Sequence, residues 1–385
     1  SLPNGRHRSR AYGLPFFPVD SPAWNLAALR ALLRSARAWD ADWLHLQYAP
    51  GSFDRRRAVG LLPLLARAMP GGPRIAVTVH EYGGWPVALP GPLGALGERA
   101  FSIGERLGVC DREGLTLLGS SHLTIGTNAD HRSAIASRST ALARRLTLIP
   151  IGPNIGPDAA PDPTHGLARL RLNVPSDQVI GVFFGFVHPV KGIEYLLHAL
   201  RKARASHPEL RLWIVGGVQS LALRGAEADS YEAKVRALIA ELALDDIVTF
   251  TGFLPDAEVA SRLQAADFAV LPFNHGATLK SGTLISCFSF GLPVITTEGG
   301  DLGALRHGES LWLVQSRDPY ALAAGLEAFA ADPALRQRLG AASRQASFAY
   351  DWSAIAARHR ELYGDNRRQN TEDRIQKEIR RQAVG

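Results

Sequence analysis

The 385-residue sequence predicts an α/β protein of two Rossmann-like doubly wound domains in tandem. Three observations carry this. Helical and strand patterns alternate along nearly the whole chain, a proline-rich stretch interrupts them once, and the same alternation then restarts. Strands separated by helices pack as a parallel sheet covered on both faces. Ligands of such sheets bind outside the carboxyl ends of the strands, and two such edges could face each other across a cleft.

The elements follow in order. "SPAWNLAALRALLRSARAW" (21–39) starts with a capping Ser and a Pro and carries apolar residues at helical spacing, so it reads as a helix. "WLHLQYA" (43–49) reads as a buried strand, "RRRAVGLLPLLARAM" as a helix, and "RIAVTVHEYGG" as a strand ending in a Gly-rich loop. "HLTIGTN" and "RLTLIPIG" complete the first set of strands. A Pro- and Gly-rich run after Pro150 has no helical period and marks the connection between domains, placed near 157. The second half reads strand "QVIGVFFGFV", helix "GIEYLLHALRKARASHP", strand "LRLWIVGG" and helix "SYEAKVRALIAELAL". Strand "IVTFTGF", helix "DAEVASRLQAA", strand "FAVLPF" and the stretch "KSGTLISCFSFGLPVITTEGG" (280–300) follow. The expected division is 1–157 and 158–350, with a helix at 351–364 that packs back on the first domain and a charged tail at 365–385.

Composition excludes several classes. Apolar residues make up 46% of the chain and no eighteen-residue uncharged apolar run occurs, so neither disorder nor a spanning helix is expected. Cys110 and Cys287 lie too far apart in sequence to suggest a disulfide framework, and a reducing, cytoplasmic compartment fits best. The polar start "SLPNGRHRSRAYG" lacks the apolar segment of a signal peptide. The net charge is +7, and residues 1–155 hold 18 Arg and no Lys against 10 acids. That asymmetry suggests an anionic partner or membrane surface for the first domain, although arginines on a solvated surface would look the same. The arginines lack interleaved aromatics, so nucleic acid is not expected as a partner. No Cys/His spacing suggests a metal.

Three loops after strands could carry chemistry. In "KSGTLISCFSFGLPV" a helix start leaves backbone N–H groups unpaired and presents the positive end of its dipole, so phosphate or carboxylate is stabilised there. Ser281, Gly282 and Thr283 leave those donors accessible and Lys280 adds a full charge, though an ordinary N-cap has the same sequence. In "GFVHPVKGIEYLLHAL" a strand ends at Gly185 and Lys191 opens a helix, where it could project toward the strand ends or simply be solvated. In "VTVHEYGG" His80 stands where a strand meets its loop and could exchange a proton or bond a sugar hydroxyl, or be a buried structural histidine.

These features, in this order, resemble the retaining glycosyltransferases of the GT-B fold, glycosyltransferase family 4 (group 1). The likeness runs through "DADWLHLQYA", "AVTVHEYG", "LTLIPIG", "GFVHPVKGIEYLLHAL", "LWIVGG", "VTFTGFLPDAEVASRLQAADFAVLPF", "GLPVITTEGG" and "FAYDWSAIAARHRELY". It implies an enzyme that binds a nucleotide-diphosphate sugar in its second domain and passes the sugar to an acceptor held mainly by the first, with retention of configuration. No cofactor or metal is implied. Lys191 matches the family's diphosphate-binding lysine and, with His80, is the implied catalytic pair. The implied donor-binding residues are Gly185, Phe186, Lys191, Gly216, Gly217, Phe253, Leu254, Thr278, Lys280, Ser281, Gly282, Thr283 and Ser286.

The departures are specific. The family's Glu-x7-Glu pair falls on Thr278 and Ser286, and its Arg beside the lysine falls on Phe186, leaving Lys280 or His188 to substitute. The family's first strand and Gly-rich loop have no counterpart before "YGLPFFPV", which predicts a fragment or a reduced first domain. The expected activity is sugar transfer to a saccharide or lipid-linked acceptor in polysaccharide or glycolipid assembly. The alternative is a catalytically degenerate protein that binds nucleotide or sugar phosphate as a partner or regulator. The apolar, Gly/Pro-rich segment 81–106 and Arg55, Arg56, Arg57, Arg132, Arg138, Arg144 and Arg145 would seat the first domain on an anionic membrane.

Overall fold

The structure, a computed structural model, describes residues 9–11, 14–16, 24–53, 56–84, 94–220 and 223–364. The chain divides into two compact units, Ser1–Ile149 with Asp365–Gly385, and Pro150–Gly364.

The first unit opens with a short antiparallel pair, β1 (Ser9–Ala11) and β2 (Leu14–Phe16). Four parallel strands follow, β3 (Trp43–Tyr48), β4 (Arg74–Val79), β5 (Leu123–Gly126) and β6 (Leu146–Leu148), and they lie side by side in chain order. The helix Leu26–Ala38 buries Leu29, Leu33 and Ala36, the i, i+4, i+7 stripe that helical geometry places on one face. It starts later than the Ser21-Pro22 signal suggested. Asn25 is the cap and its side chain accepts from the Ala28 N–H at 3.0 Å, while residues 21–23 lie outside the described residues. The apolar segment 85–93, Arg55 and the tail 365–385 also lie outside them.

The second unit carries six parallel strands: β7 (Val179–Phe184), β8 (Leu210–Val215), β9 (Val248–Gly252), β10 (Phe268–Leu271), β11 (Val294–Thr297) and β12 (Trp312–Val314). Their spatial order is β12-β11-β10-β7-β8-β9, the doubly wound arrangement in which the winding direction reverses between β7 and β10. The near-continuous apolar runs "VIGVFF" and "FAVL" follow from this position, since central strands of a covered parallel sheet are buried on both faces. Val182, Phe183, Phe268 and Leu271 are fully buried.

The division falls at Pro150 rather than near 157, because the intervening residues pack on the second unit. The N–H of Asn154 donates to Gly282 O at 3.5 Å, and that of Ile155 to Ser286 Oγ at 3.0 Å. A helix over 352–364 is grouped with this unit, where the Trp352 indole N–H donates to Pro153 O at 2.9 Å. Among the described residues no helix is long and apolar enough to cross a membrane.

Candidate functional site

In the second unit, the loops that leave the carboxyl ends of β7 and β10 meet at the point of reversal, where ligands of doubly wound sheets bind. The loop after β7 begins at Gly185, whose N–H donates to Val215 O at 3.0 Å, and turns through a short 3₁₀ segment, Pro189–Lys191. His188 caps that segment by accepting from the Val190 N–H at 3.3 Å. Gly192 then takes φ 72°, and a Cβ there would sit 2.0 Å from Pro272 O. Only glycine allows both the left-handed backbone and this approach to the loop after β10. Asn274 closes the seam: its backbone N–H donates to Val190 O at 3.0 Å and its side-chain amide to Pro189 O at 2.8 Å.

The seam borders a cavity of about 270 Å³ lined by Val190, Lys191, Phe273, His275, Gly276, Thr278, Lys280 and Ser281. Two lysines from different strands' loops therefore share one cavity. Lys191 Nζ lies 4.4 Å from the centre of the Phe273 ring, and burial lowers its pKa below the ordinary 10.5. Lys191 has no carboxylate partner among the described residues. Buried ammonium groups are costly when unpaired, and an anion in the cavity would relieve that cost.

Ser281 caps the helix Gly282–Ser289 by accepting from the Leu284 N–H at 3.3 Å. The first N–H groups of that helix have no partner within it. The structure separates the sequence candidates here. Thr278, Lys280 and Ser281 join Lys191 at the cavity, whereas Gly282 is buried against the Asn154 side chain and Thr283 lies against Gly185. Ser286 is fully buried, and its hydroxyl is taken by the Ile155 N–H. Ser286, one of the donor-binding residues that the resemblance implied, thus has its hydroxyl oxygen bonded to the connecting segment. Val190, Phe273, His275 and Gly276 were not anticipated from sequence, although "PFNHG" directly after an apolar strand is where such residues belong.

The other candidates form a second group on the same strand edge. Gly216 N–H donates to Gly252 O at 3.2 Å and Val187 N–H to Gly217 O at 3.0 Å, so the loops after β7, β8 and β9 are laced together through glycines. Phe186 and Phe253 project from this floor at 51% and 80% exposure, and Leu254 is half-buried. Exposed phenylalanines on a glycine floor offer flat apolar faces to an aromatic ligand.

In the first unit His80 continues β4, its N–H donating to Tyr48 O at 2.9 Å. Its Nε2 lies 2.7 Å from Gln47 Oε1. Burial lowers the imidazole pKa, against an upward pull from Glu81, and so favours the neutral ring. The following loop is clamped by a buried acidic cluster. Gly83 N–H donates to Glu113 Oε2 at 2.8 Å, Tyr82 OH to Asp111 Oδ1 at 3.3 Å, and the Arg138 guanidinium lies over the Tyr82 ring while bonding Glu113 at 3.0 Å. Burial pushes Asp111 up to about 6. Beside this cluster a cavity of about 350 Å³ is lined by Ser102, Glu105, Arg106, Arg112, Ser137 and Arg138.

Several of the arginines that sequence analysis assigned to a membrane face also bond backbone carbonyls of their own unit. Arg57 donates to Arg112 O, Arg132 to Leu146 O and Arg145 to Gly119 O. Among the described residues no group of three or more His, Cys, Asp or Glu could hold a metal ion.

Comparison with known proteins bears on this geometry. Residues 178–332 match the family model of the glycosyl transferases group 1. A D-inositol 3-phosphate glycosyltransferase of Streptomyces avermitilis is 32% identical over 202 residues, 51% of this chain and 42% of the relative. One from Frankia alni is 30% identical over 267 residues, 68% of this chain and 62% of the relative. The chain spans about half the length of most such relatives. Among solved structures, sucrose-phosphate synthase from Thermosynechococcus elongatus superposes with TM-score 0.64 at 23% identity, covering 91% of this chain and 80% of that one. Anabaena Alr3699/HepE, solved in complex with UDP, superposes with TM-score 0.64 at 16% identity over 88% of this chain and 82% of that one. Residues 178–332, which carry Lys191 and Lys280, are thus similar to the group 1 glycosyl transferases, in a chain with the two-sheet fold of the GT-B glycosyltransferases.

Proposed function

We propose that the protein transfers a sugar from a nucleotide-diphosphate donor to a saccharide or lipid-linked acceptor, with retention of configuration and without a metal. The carrying observation is the single cavity at the β7/β10 reversal into which two separate loops bring Lys191 and Lys280. A diphosphate is the ligand whose charge matches two ammonium groups and a helix start. Lys191 would stabilise the departing diphosphate, and Lys280 would take the place of the arginine replaced by Phe186. The nucleobase would lie on the glycine floor between Phe186 and Phe253. Structural neighbours solved with UDP and with UDP-glucose support a donor of that class.

The acceptor would be held by the first unit, where His80 meets its hydroxyl groups. The Arg- and Ser-lined cavity beside the His80 loop supports an acceptor with polar or anionic substituents, in keeping with relatives named for inositol 3-phosphate. A peripheral position on the inner face of a membrane belongs to the same reading. The test is a thermal-shift panel of UDP, GDP and ADP followed by hydrolysis assays of the matching nucleotide sugars. Stabilisation with slow hydrolysis supports transfer.

The second reading, a degenerate binding protein, is favoured by Ser286, whose hydroxyl is committed to the connecting segment. It predicts stabilisation by nucleotide with no hydrolysis and no transfer.

A further inference from the structure

One face of the first sheet carries a row of polar side chains that leads to His80. Along β3, Leu46 and Tyr48 are buried in the core, while His45 and Gln47 point to the opposite face. The register pairs His45 with Ala76 and Gln47 with Thr78, so Thr78 and, two residues on, His80 share that face. Each β3 side chain then meets the residue one pair further along β4. His45 Nε2 lies 2.8 Å from Thr78 Oγ1, Gln47 Nε2 lies 3.4 Å from His45 Nε2, and Gln47 Oε1 lies 2.7 Å from His80 Nε2.

Elementary donor and acceptor rules give this row a direction. An amide oxygen only accepts, so the proton of a neutral His80 sits on Nε2. The amide nitrogen of Gln47 only donates, so His45 must offer a lone pair at Nε2. With its Nε2 proton spent on Gln47, His80 keeps its lone pair on Nδ1, which has no partner among the described residues. The opposite orientation of the amide would require a proton on His45 Nε2 and would move the His80 proton to Nδ1. The charged group acting on the His80 ring is Glu81, the next residue in the chain.

We propose that Gln47, oriented by His45 and Thr78, is a positioning residue that holds His80 as the Nε2–H tautomer and so presents Nδ1 as the hydrogen-bond acceptor for an acceptor-substrate hydroxyl. A ring that must accept from a hydroxyl is useful only in one tautomer, and a single neighbouring amide selects it without adding charge. The second half of this statement rests on the assignment of His80 to the acceptor. The first half does not.

The test is long-range proton–nitrogen NMR on the full chain with labelled histidine, assigned with His80→Ala. The wild type should show His80 protonated at Nε2 at pH 7.5, and Gln47→Leu should convert that signal to a tautomer mixture. Gln47→Glu should keep the Nε2 proton and raise the ring pKa by about 1 or more, as a neighbouring carboxylate does. Nucleotide binding should be equal in all three, and sugar transfer should fall about tenfold or more in Gln47→Leu and recover in Gln47→Glu above the raised pKa. An Nδ1–H wild-type ring, or an unchanged Nε2–H ring in Gln47→Leu, overturns the proposal. Undiminished transfer by His80→Ala, with the tautomers behaving as expected, would remove the catalytic role of His80 and leave the positioning by Gln47 standing.

Discussion

Replacing Lys191 with methionine tests the donor site most directly. Methionine keeps an unbranched stem of similar length against Phe273 and removes the charge 4.4 Å from that ring. A charge-assisted hydrogen bond to phosphate is worth about 1.5–3 kcal/mol, and two unit charges about 4 Å apart at an effective dielectric of 20 attract by about 4 kcal/mol before desolvation is subtracted. The net loss should be about 2–3 kcal/mol, or roughly 30- to 150-fold in Kd for a nucleoside diphosphate. The fold should be nearly indifferent, since the lost cation–π contact of about 0.5–1 kcal/mol is offset by removal of an unpaired, partly desolvated ammonium. The effect also has a pH signature. The folded pKa of Lys191 lies below the unfolded 10.5, so the unfolded chain binds the proton more tightly across that interval. Stability of the wild type relative to Lys191→Met should therefore rise as pH climbs through the folded pKa toward 10.5. Over the same interval its affinity for diphosphate should fall, because the ammonium is lost. Calorimetric titration of UDP, GDP and ADP at pH 7.5 and 9.5 measures the affinity, and urea unfolding at the same pH values measures the stability. Equal Kd values for wild type and variant at pH 7.5 would refute the assignment of the cavity.

Other outcomes follow from single contacts. Gly192→Ala should cost more than about 2 kcal/mol in urea unfolding, since it adds left-handed strain to a Cβ 2.0 Å from Pro272 O, and should weaken nucleotide binding as well. Ser286→Ala should lower stability by about 1–2 kcal/mol by orphaning the Ile155 N–H, and leave the Kd for UDP unchanged. Sugar transfer should decline as pH falls below the lowered pKa of His80, and His80→Ala should abolish that limb of the pH profile while binding nucleotide normally. Phe253→Ala, at a residue 80% exposed, should leave the fold intact and weaken a base-bearing ligand by about 1–3 kcal/mol without affecting inorganic pyrophosphate.

Much of this architecture was legible because it depends on period and punctuation. The runs "VIGVFF" and "FAVL" are apolar without alternation, which parallel central strands require, and Gly192 and Gly291 mark chain reversals at φ 72° and 70°. The pairing of Lys191 with Lys280 could be anticipated from their places after separate strands. Other features could not. Ser286 matches a ligand position by its spacing, and only the packing of residues 150–157 onto the helix Gly282–Ser289 shows that its hydroxyl oxygen also accepts from Ile155. The same packing moves the domain division to Pro150. The Gln47–His80 contact escaped because it joins residues 33 positions apart that meet only through strand register. The backbone bonds of the first-unit arginines escaped for a related reason: a guanidinium bound to a backbone carbonyl has no sequence signature.

The close approach of Gly192 to Pro272, together with the two Asn274 bonds, has a practical corollary for engineering. The segments that supply the two ammonium groups are fastened to each other and cannot be exchanged separately. A graft intended to change what this cavity binds must carry 185–192 and 272–281 as one cassette, because either piece alone would inherit a partner shaped for the other.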